Sequence, residues 1–175
     1  MIEIKLYVGT FRKYNEGSVF GDWITLTEFD NLKDFYNECR ALHKDEEDPE
    51  FMFQDWEVNT SILKPFIRES WIDKDIFKYI KYLEEADNSL EVYEAFDDLE
   101  PFDFIKNEAD FLDHIRRCDE LLIGEYERWE DFVYEEAQRM VGGREDLIHF
   151  LDLDKVGREL MHDFDHSNGV VFRAG

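Results

Sequence analysis

Positive charge is scarce in this chain of 175 residues: 20 Lys and Arg stand against 44 Asp and Glu, for a formal net charge of -24. A surface this negative repels nucleic acid and anionic membrane, because both are bound by Lys and Arg that neutralise phosphate. Cysteine is nearly absent. Cys39 and Cys118 stand alone and far apart, which argues against a disulfide scaffold and makes a reducing cytoplasm the expected setting. No run approaches the roughly 20 apolar residues of a membrane span. The opening MIEIKLYV carries Glu3 and Lys5 where a signal peptide would be apolar. Also missing are a Gly/Ser-rich linker, an internal repeat, and any GxSxG, P-loop or GxGxxG sequence.

What is present belongs to a folded chain. Leu, Ile, Val and Phe make up about 30% of the residues, above the roughly 20% below which disorder is expected. The acid excess is spread along the length: net -8 over residues 1–60, -7 over 61–103 and -9 over 104–175. The expected partner is therefore basic, and proteins that bind DNA are the largest such class.

Pattern changes divide the chain into three modules, and the expected fold class is α+β. Residues 1–60 read as a small α+β domain with a short antiparallel sheet. Ile2, Ile4, Leu6 and Val8 alternate with polar neighbours, as in a half-buried strand. Residues 11–18 read as a loop and Val19–Leu26 as a strand with Gly21 as a bulge. Asp30 or Asn31 is placed to cap a helix bearing Leu32, Phe35, Tyr36, Cys39 and Leu42, and Phe51–Val58 suggests a third strand. Residues 61–103 read as helical, from the stripes Ile76, Tyr79, Ile80, Leu83 and Leu90, Tyr93, Phe96. Residues 104–175 read as α+β. One helix carries Phe111, Leu112, Ile115 and Cys118, a longer helix runs over Glu125–Val141, and a strand covers Val170–Phe172 after Asn168-Gly169.

The acids are the candidate functional residues. Between Lys81 and Lys106 no basic residue occurs, yet Glu84, Glu85, Asp87, Glu91, Glu94, Asp97, Asp98, Glu100 and Asp103 do. Glu108, Asp110, Asp113, Glu127, Glu130, Asp131, Glu135 and Glu136 extend the series. On a helix over 125–141, Tyr126, Trp129, Val133, Ala137 and Met140 share one face, with Glu127, Asp131 and Glu135 opposite. Like charges at this spacing cost on the order of 0.2–0.5 kcal/mol each. A single run of this kind is ordinarily a solvated face; its recurrence in every module points to a polyanionic binding surface.

Short strings at both ends carry a resemblance. Tyr7, Tyr14-Asn15-Glu16-Gly17, Gly21 and Trp23 resemble the opening of ArdA antirestriction proteins. Gly124-Glu125-Tyr126 followed by Glu130-Asp131-Phe132 is similar to that family's antirestriction motif, and Asp152, Gly157-Arg158 and Asp163 fit its C-terminal pattern. The middle third matches mainly in acidity, and Thr10-Phe11 stands where the family has Asn-Leu. The resemblance implies an elongated homodimer of three small domains per chain, acidic throughout, that imitates bent duplex DNA. It further implies occupation of the DNA-binding cleft of type I restriction-modification enzymes, formed by methyltransferase core and specificity subunit, and an origin on mobile DNA. By the same analogy Gly124, Glu125, Tyr126, Trp129 and Phe132 take an assembly role at the dimer contact.

Other chemistry finds weaker support. His162 and His166 with Asp163 and Asp165 have the spacing of a zinc pair, but no third ligand is evident. Asp152, Asp154, Gly157 and Asp163 imitate part of a calcium loop, with Val156 where a ligand belongs. Carboxylate pairs such as Asp97-Asp98 arise by chance in a chain one quarter acidic, so neither an enzyme nor a cofactor is expected. The alternative to mimicry is an acidic binding module or chaperone for another basic DNA-binding protein.

Overall fold

A computed structural model describes residues 1–102 and 105–175, which form two compact units. The first comprises Met1–Asp87 with Ile105–Phe111, the second Asn88–Phe104 with Leu112–Gly175. The class is α+β, with three small antiparallel sheets among the described residues.

In the first unit, β1 (Ile4–Thr10) lies between β2 (Asp22–Thr25) and β3 (Phe51–Val58). Ile4, Leu6 and Val8 are fully buried, as the alternation predicts for a central strand. The ladder with β3 shifts register between Tyr7 and Val8. That is where the sheet is irregular, not at Gly21. Gly21 is demanded instead by close approach, since a Cβ there would lie 2.5 Å from the Val8 carbonyl oxygen. The segment expected to be only loop holds a one-turn helix, α1 (Phe11–Asn15), which Thr10 caps through its hydroxyl. Lys13 from this turn donates to Asp45 at 2.8 Å and to His43 Nδ1 at 3.0 Å.

Helix α2 (Leu32–Leu42) starts at Asn31, whose side chain accepts from the Asp34 amide. Its inward face packs Phe35 against Phe53 and stacks Tyr36 on Phe51, with ring centroids 6.2 and 5.9 Å apart. Cys39 is buried there, and burial pushes its thiol up to about 12, which removes it from thiolate chemistry.

The stretch expected to be helical from residue 61 opens differently. A 3₁₀ turn over Lys64–Phe66 leads into a hairpin of β4 (Ile67–Arg68) and β5 (Trp71–Ile72), anchored where the Phe53 amide donates to the Glu69 carbonyl at 2.7 Å. Two-residue strands carry no periodicity, and the alternation signal needs four or more residues. Helix α3 (Ile76–Glu85) then buries the expected stripe of Ile76, Tyr79, Ile80 and Leu83, and Tyr79 stacks on Phe111 at 4.4 Å.

The second unit layers helices on both faces of a sheet ordered β6 (Leu122–Glu125), β8 (Val170–Arg173), β7 (Phe164–Ser167). Alternation along β8 sends Phe172 to Phe96 of helix α4 (Leu90–Leu99). Val171 goes the other way, into a cluster with Phe132 and Val133 of α6 (Trp129–Met140) and Leu160 of α7 (Leu153–Leu160). Helix α5 (Glu108–Leu121) leads into β6. Asn168 and Gly169 both take positive φ, 48° and 82°, the requirement of the two-residue turn joining β7 to β8.

The expected helix over 125–141 is shorter than its pattern. The Tyr126 amide donates to the Gly169 carbonyl at 2.7 Å, which holds 122–126 to the sheet edge, and Arg128 is extended. The helix therefore begins at Trp129. Glu125 sits in a strand, Glu127 precedes the helix, and Met140, expected on the inward face, is 62% exposed.

Candidate functional site

In the first unit the candidate acids end α3 and begin α5. Glu84 and Glu85 close α3 with no cation in its last turn, an arrangement the helix dipole disfavours. Both are exposed. Glu84 Oε1 accepts from the Ile2 amide at 3.0 Å, and Glu85 lies 3.8 Å from Lys81. Asp87 is exposed and makes no hydrogen bond or ion pair among the described residues. Glu108 is a scaffold group instead. It accepts from Lys78 Nζ and from the Tyr82 hydroxyl, and these two partners hold its carboxyl below the usual range. Asp110 accepts from the side chain of Asn107 at 3.0 Å, and Asn107 in turn caps the Asp110 amide.

The acids of the second unit separate in the same way. Glu91, in the first turn of α4, is exposed and unengaged among the described residues. Glu94 and Asp97 are half-buried, and Asp97 accepts from the Phe102 amide at 2.8 Å. Asp98 receives Ser167 Oγ at 2.7 Å and Asn168 Nδ2 at 2.8 Å, pinning the β7–β8 turn to α4. Glu100 pairs with Arg117 at 2.7 Å, and its backbone carbonyl accepts from His114 Nε2. Asp113 and Glu120 flank Arg116, each at 2.5 Å. Asp103 lies outside the described residues.

Around α6 the like charges are not left to repel one another. Arg128 pairs with Asp131 at 3.0 Å, and Arg139 reaches back to both Glu135 and Glu136. These arginines supply the opposite charge that the one-sided reading of the face overlooked. Only Glu127 and Glu130 of this group are exposed without a hydrogen bond or ion pair among the described residues. A further acid escaped the sequence reading. Asp119 accepts from the buried Tyr93 hydroxyl and from Asn88 Nδ2, both at 2.8 Å. Its place next to Cys118 on a helical stripe could have marked it as facing α4.

The motif residues form the support of this unit. Phe132 is fully buried, with Tyr126 at 5.3 Å and Trp129 at 5.2 Å between ring centroids. Gly124 leaves room for the Tyr126 ring, 3.3 Å from where a Cβ would stand, and Glu125 is exposed at the end of β6. Gly157 lets α7 close on α6, since a Cβ would meet Val133 Cγ2 at 3.2 Å and Trp129 Nε1 at 3.3 Å. His166 stacks on Trp129 at 4.5 Å. Asp152 caps α7 by accepting from the Lys155 amide at 3.0 Å. Of the residues weighed for zinc and calcium, His166, Asp152 and Gly157 thus have structural roles, and among the described residues no group of three or more His, Cys, Asp or Glu is placed to hold a metal.

Residues 6–172 match the family described as Antirestriction protein (ArdA). The chain belongs to the ArdA family. The match includes the middle third, where the motif resemblance rested on acidity. No curated protein and no solved structure matches the chain. ArdA antirestriction proteins are non-enzymatic inhibitors. None of the helices among the described residues is long and apolar enough to cross a membrane.

Proposed function

We propose that this ArdA member inhibits type I restriction-modification enzymes by presenting carboxylates in place of the phosphates of duplex DNA. The target would be the cleft formed by the methyltransferase core and the specificity subunit, in the cytoplasm, with incoming mobile DNA as the beneficiary. The observation that supports this reading is the net charge of -24 on a chain whose exposed acids Asp87, Glu91, Glu127 and Glu130 lack any hydrogen bond or ion pair among the described residues. Carboxylates engaged by Lys or Arg of their own chain offer little to a partner's cations. Those left open on ordered elements offer the most, because little ordering entropy is lost on docking. A duplex carries two charges per base pair, so 24 net charges correspond to about 12 base pairs.

The three-domain, elongated homodimer is part of the same proposal. Glu125 would lie at the dimer contact, with Gly124, Tyr126, Trp129 and Phe132 shaping that edge from within. Competition tests the mechanism: with the methyltransferase core, the chain and a duplex bearing the target sequence are expected to displace one another. The apparent affinity of each should fall as the other is added. Inhibition undiminished by excess duplex would sink the competitive reading and favour an acidic module that binds elsewhere on a basic protein.

A further inference from the structure

We propose that a groove in the first unit docks a short basic peptide segment that carries a bulky apolar anchor. The groove encloses about 830 Å³ and is lined by the start of the chain, the segment 25–30, Asn59 and one face of α3. Its volume lies in the range of roughly 300–1,000 Å³ typical of ligand sites. The lining has two chemistries. Ile2, Phe29, Phe77 and Ile80 supply apolar surface, while Glu3, Glu28, Asp30, Glu84 and Glu85 bring five carboxylates against Lys81 and the amino group of Met1, with Glu3 paired to Lys5 at 3.0 Å.

Those carboxylates are unequally engaged. Glu84 holds the Ile2 amide and Glu85 faces Lys81. Glu28 and Asp30 are exposed and make no hydrogen bond or ion pair among the described residues. An occupant is chosen by complementarity: guanidinium or ammonium groups for Glu28 and Asp30, and an aliphatic or aromatic side chain for Phe77 and Phe29. Nucleic acid is repelled by the same charge. A bare polyamine would leave the apolar lining in water. A basic segment with one or two large apolar residues satisfies both, because Lys and Arg stems also cover apolar surface. Phosphate mimicry needs only charge, so the apolar floor asks for a partner of its own.

The probe is the amidated hexapeptide Lys-Arg-Leu-Phe-Arg-Lys, titrated into the full chain at 0.15 M salt and followed by calorimetry and amide chemical shifts. The control, Lys-Arg-Ser-Gly-Arg-Lys, has the same charge. Burial of the anchor is expected to make the probe bind at least about tenfold more tightly than the control. Shifts should centre on Thr27, Phe29, Phe77 and Ile80. The double variant Glu28→Gln with Asp30→Asn breaks no hydrogen bond or ion pair among the described residues, loses only the long-range attraction of Glu28 for Lys5, and should weaken the probe three- to tenfold with the fold unchanged. Equal affinity for probe and control, shifts centred elsewhere, no effect of the double variant, or no binding would each overturn the proposal. Binding by the free chain involves no restriction enzyme, so its failure leaves the proposed competition with DNA untouched.

Discussion

Neutralising four unengaged acids of the candidate series together, as Asp87→Asn, Glu91→Gln, Glu127→Gln and Glu130→Gln, separates binding from folding. The energetic cost to the fold is small. Glu91 and Glu130 sit in the first turns of α4 and α6, where a negative charge is worth about 0.3–1 kcal/mol against the helix dipole. Removing four charges from a chain of net -24 relieves self-repulsion and offsets part of that loss. The stability change should therefore stay near 1 kcal/mol, a shift in Tm of roughly 2–4 °C for a chain of this size. Binding has more to lose. Exposed ion pairs contribute about 0.2–1 kcal/mol each, so four lost together amount to about 1–4 kcal/mol, from severalfold to nearly a thousandfold in Kd. If each carboxylate stands in for a phosphate, the slope of log K against log salt flattens by at most about 3.6. The assay is competition with a fluorescent duplex for the methyltransferase core between 50 and 300 mM salt, with circular dichroism as the folding check. A folded quadruple variant whose Kd stays within twofold and whose salt slope is unchanged would show that these acids do not meet the enzyme.

Acids that hold the scaffold should behave oppositely. Asp119→Ala leaves the buried Tyr93 hydroxyl without that acceptor and should cost about 1–3 kcal/mol by urea denaturation; beside Tyr93→Phe the cost should shrink, and additivity of the two changes would refute the coupling. His114 sits against Phe96 and Phe102, and burial holds its imidazole below the ordinary 6.5. Between that lower value and 6.5 the unfolded chain binds the extra proton, so His114 withdraws stability as pH falls below about 6.5. The difference in urea midpoint between wild type and His114→Gln, measured from pH 7.5 to 5, should reveal that slope. Gly157→Val should destabilise the second unit by about 1–3 kcal/mol, because the branched side chain drives into Val133 and Trp129. Gly157→Ala should cost less, since about 1 kcal/mol of helix propensity offsets the crowding, and equal Tm for both variants would contradict the packing.

The sequence by itself determined the class, the charge and the elements whose signal is local. The alternation of Ile4, Leu6 and Val8, a helix cap at Asp30 or Asn31 (Asn31 in the fold) and the stripe of Ile76, Tyr79, Ile80 and Leu83 each depend on neighbours within a few residues, and each appears in the fold. The motif strings sufficed for the family, because they need only residue identity and order. Tertiary structure alone decided the rest. The two-residue strands β4 and β5 have no period to read, and the start of α6 is set by a bond from Tyr126 to Gly169, far away in the chain. It also decided which acids are free. Asp98 is spent on Ser167 and Asn168, Glu108 on Lys78 and Tyr82, and Asp119 on Asn88 and Tyr93. Charge adds up residue by residue along a chain, whereas whether a carboxylate faces a partner or its own fold depends on groups that folding brings together from 26 to 70 positions away.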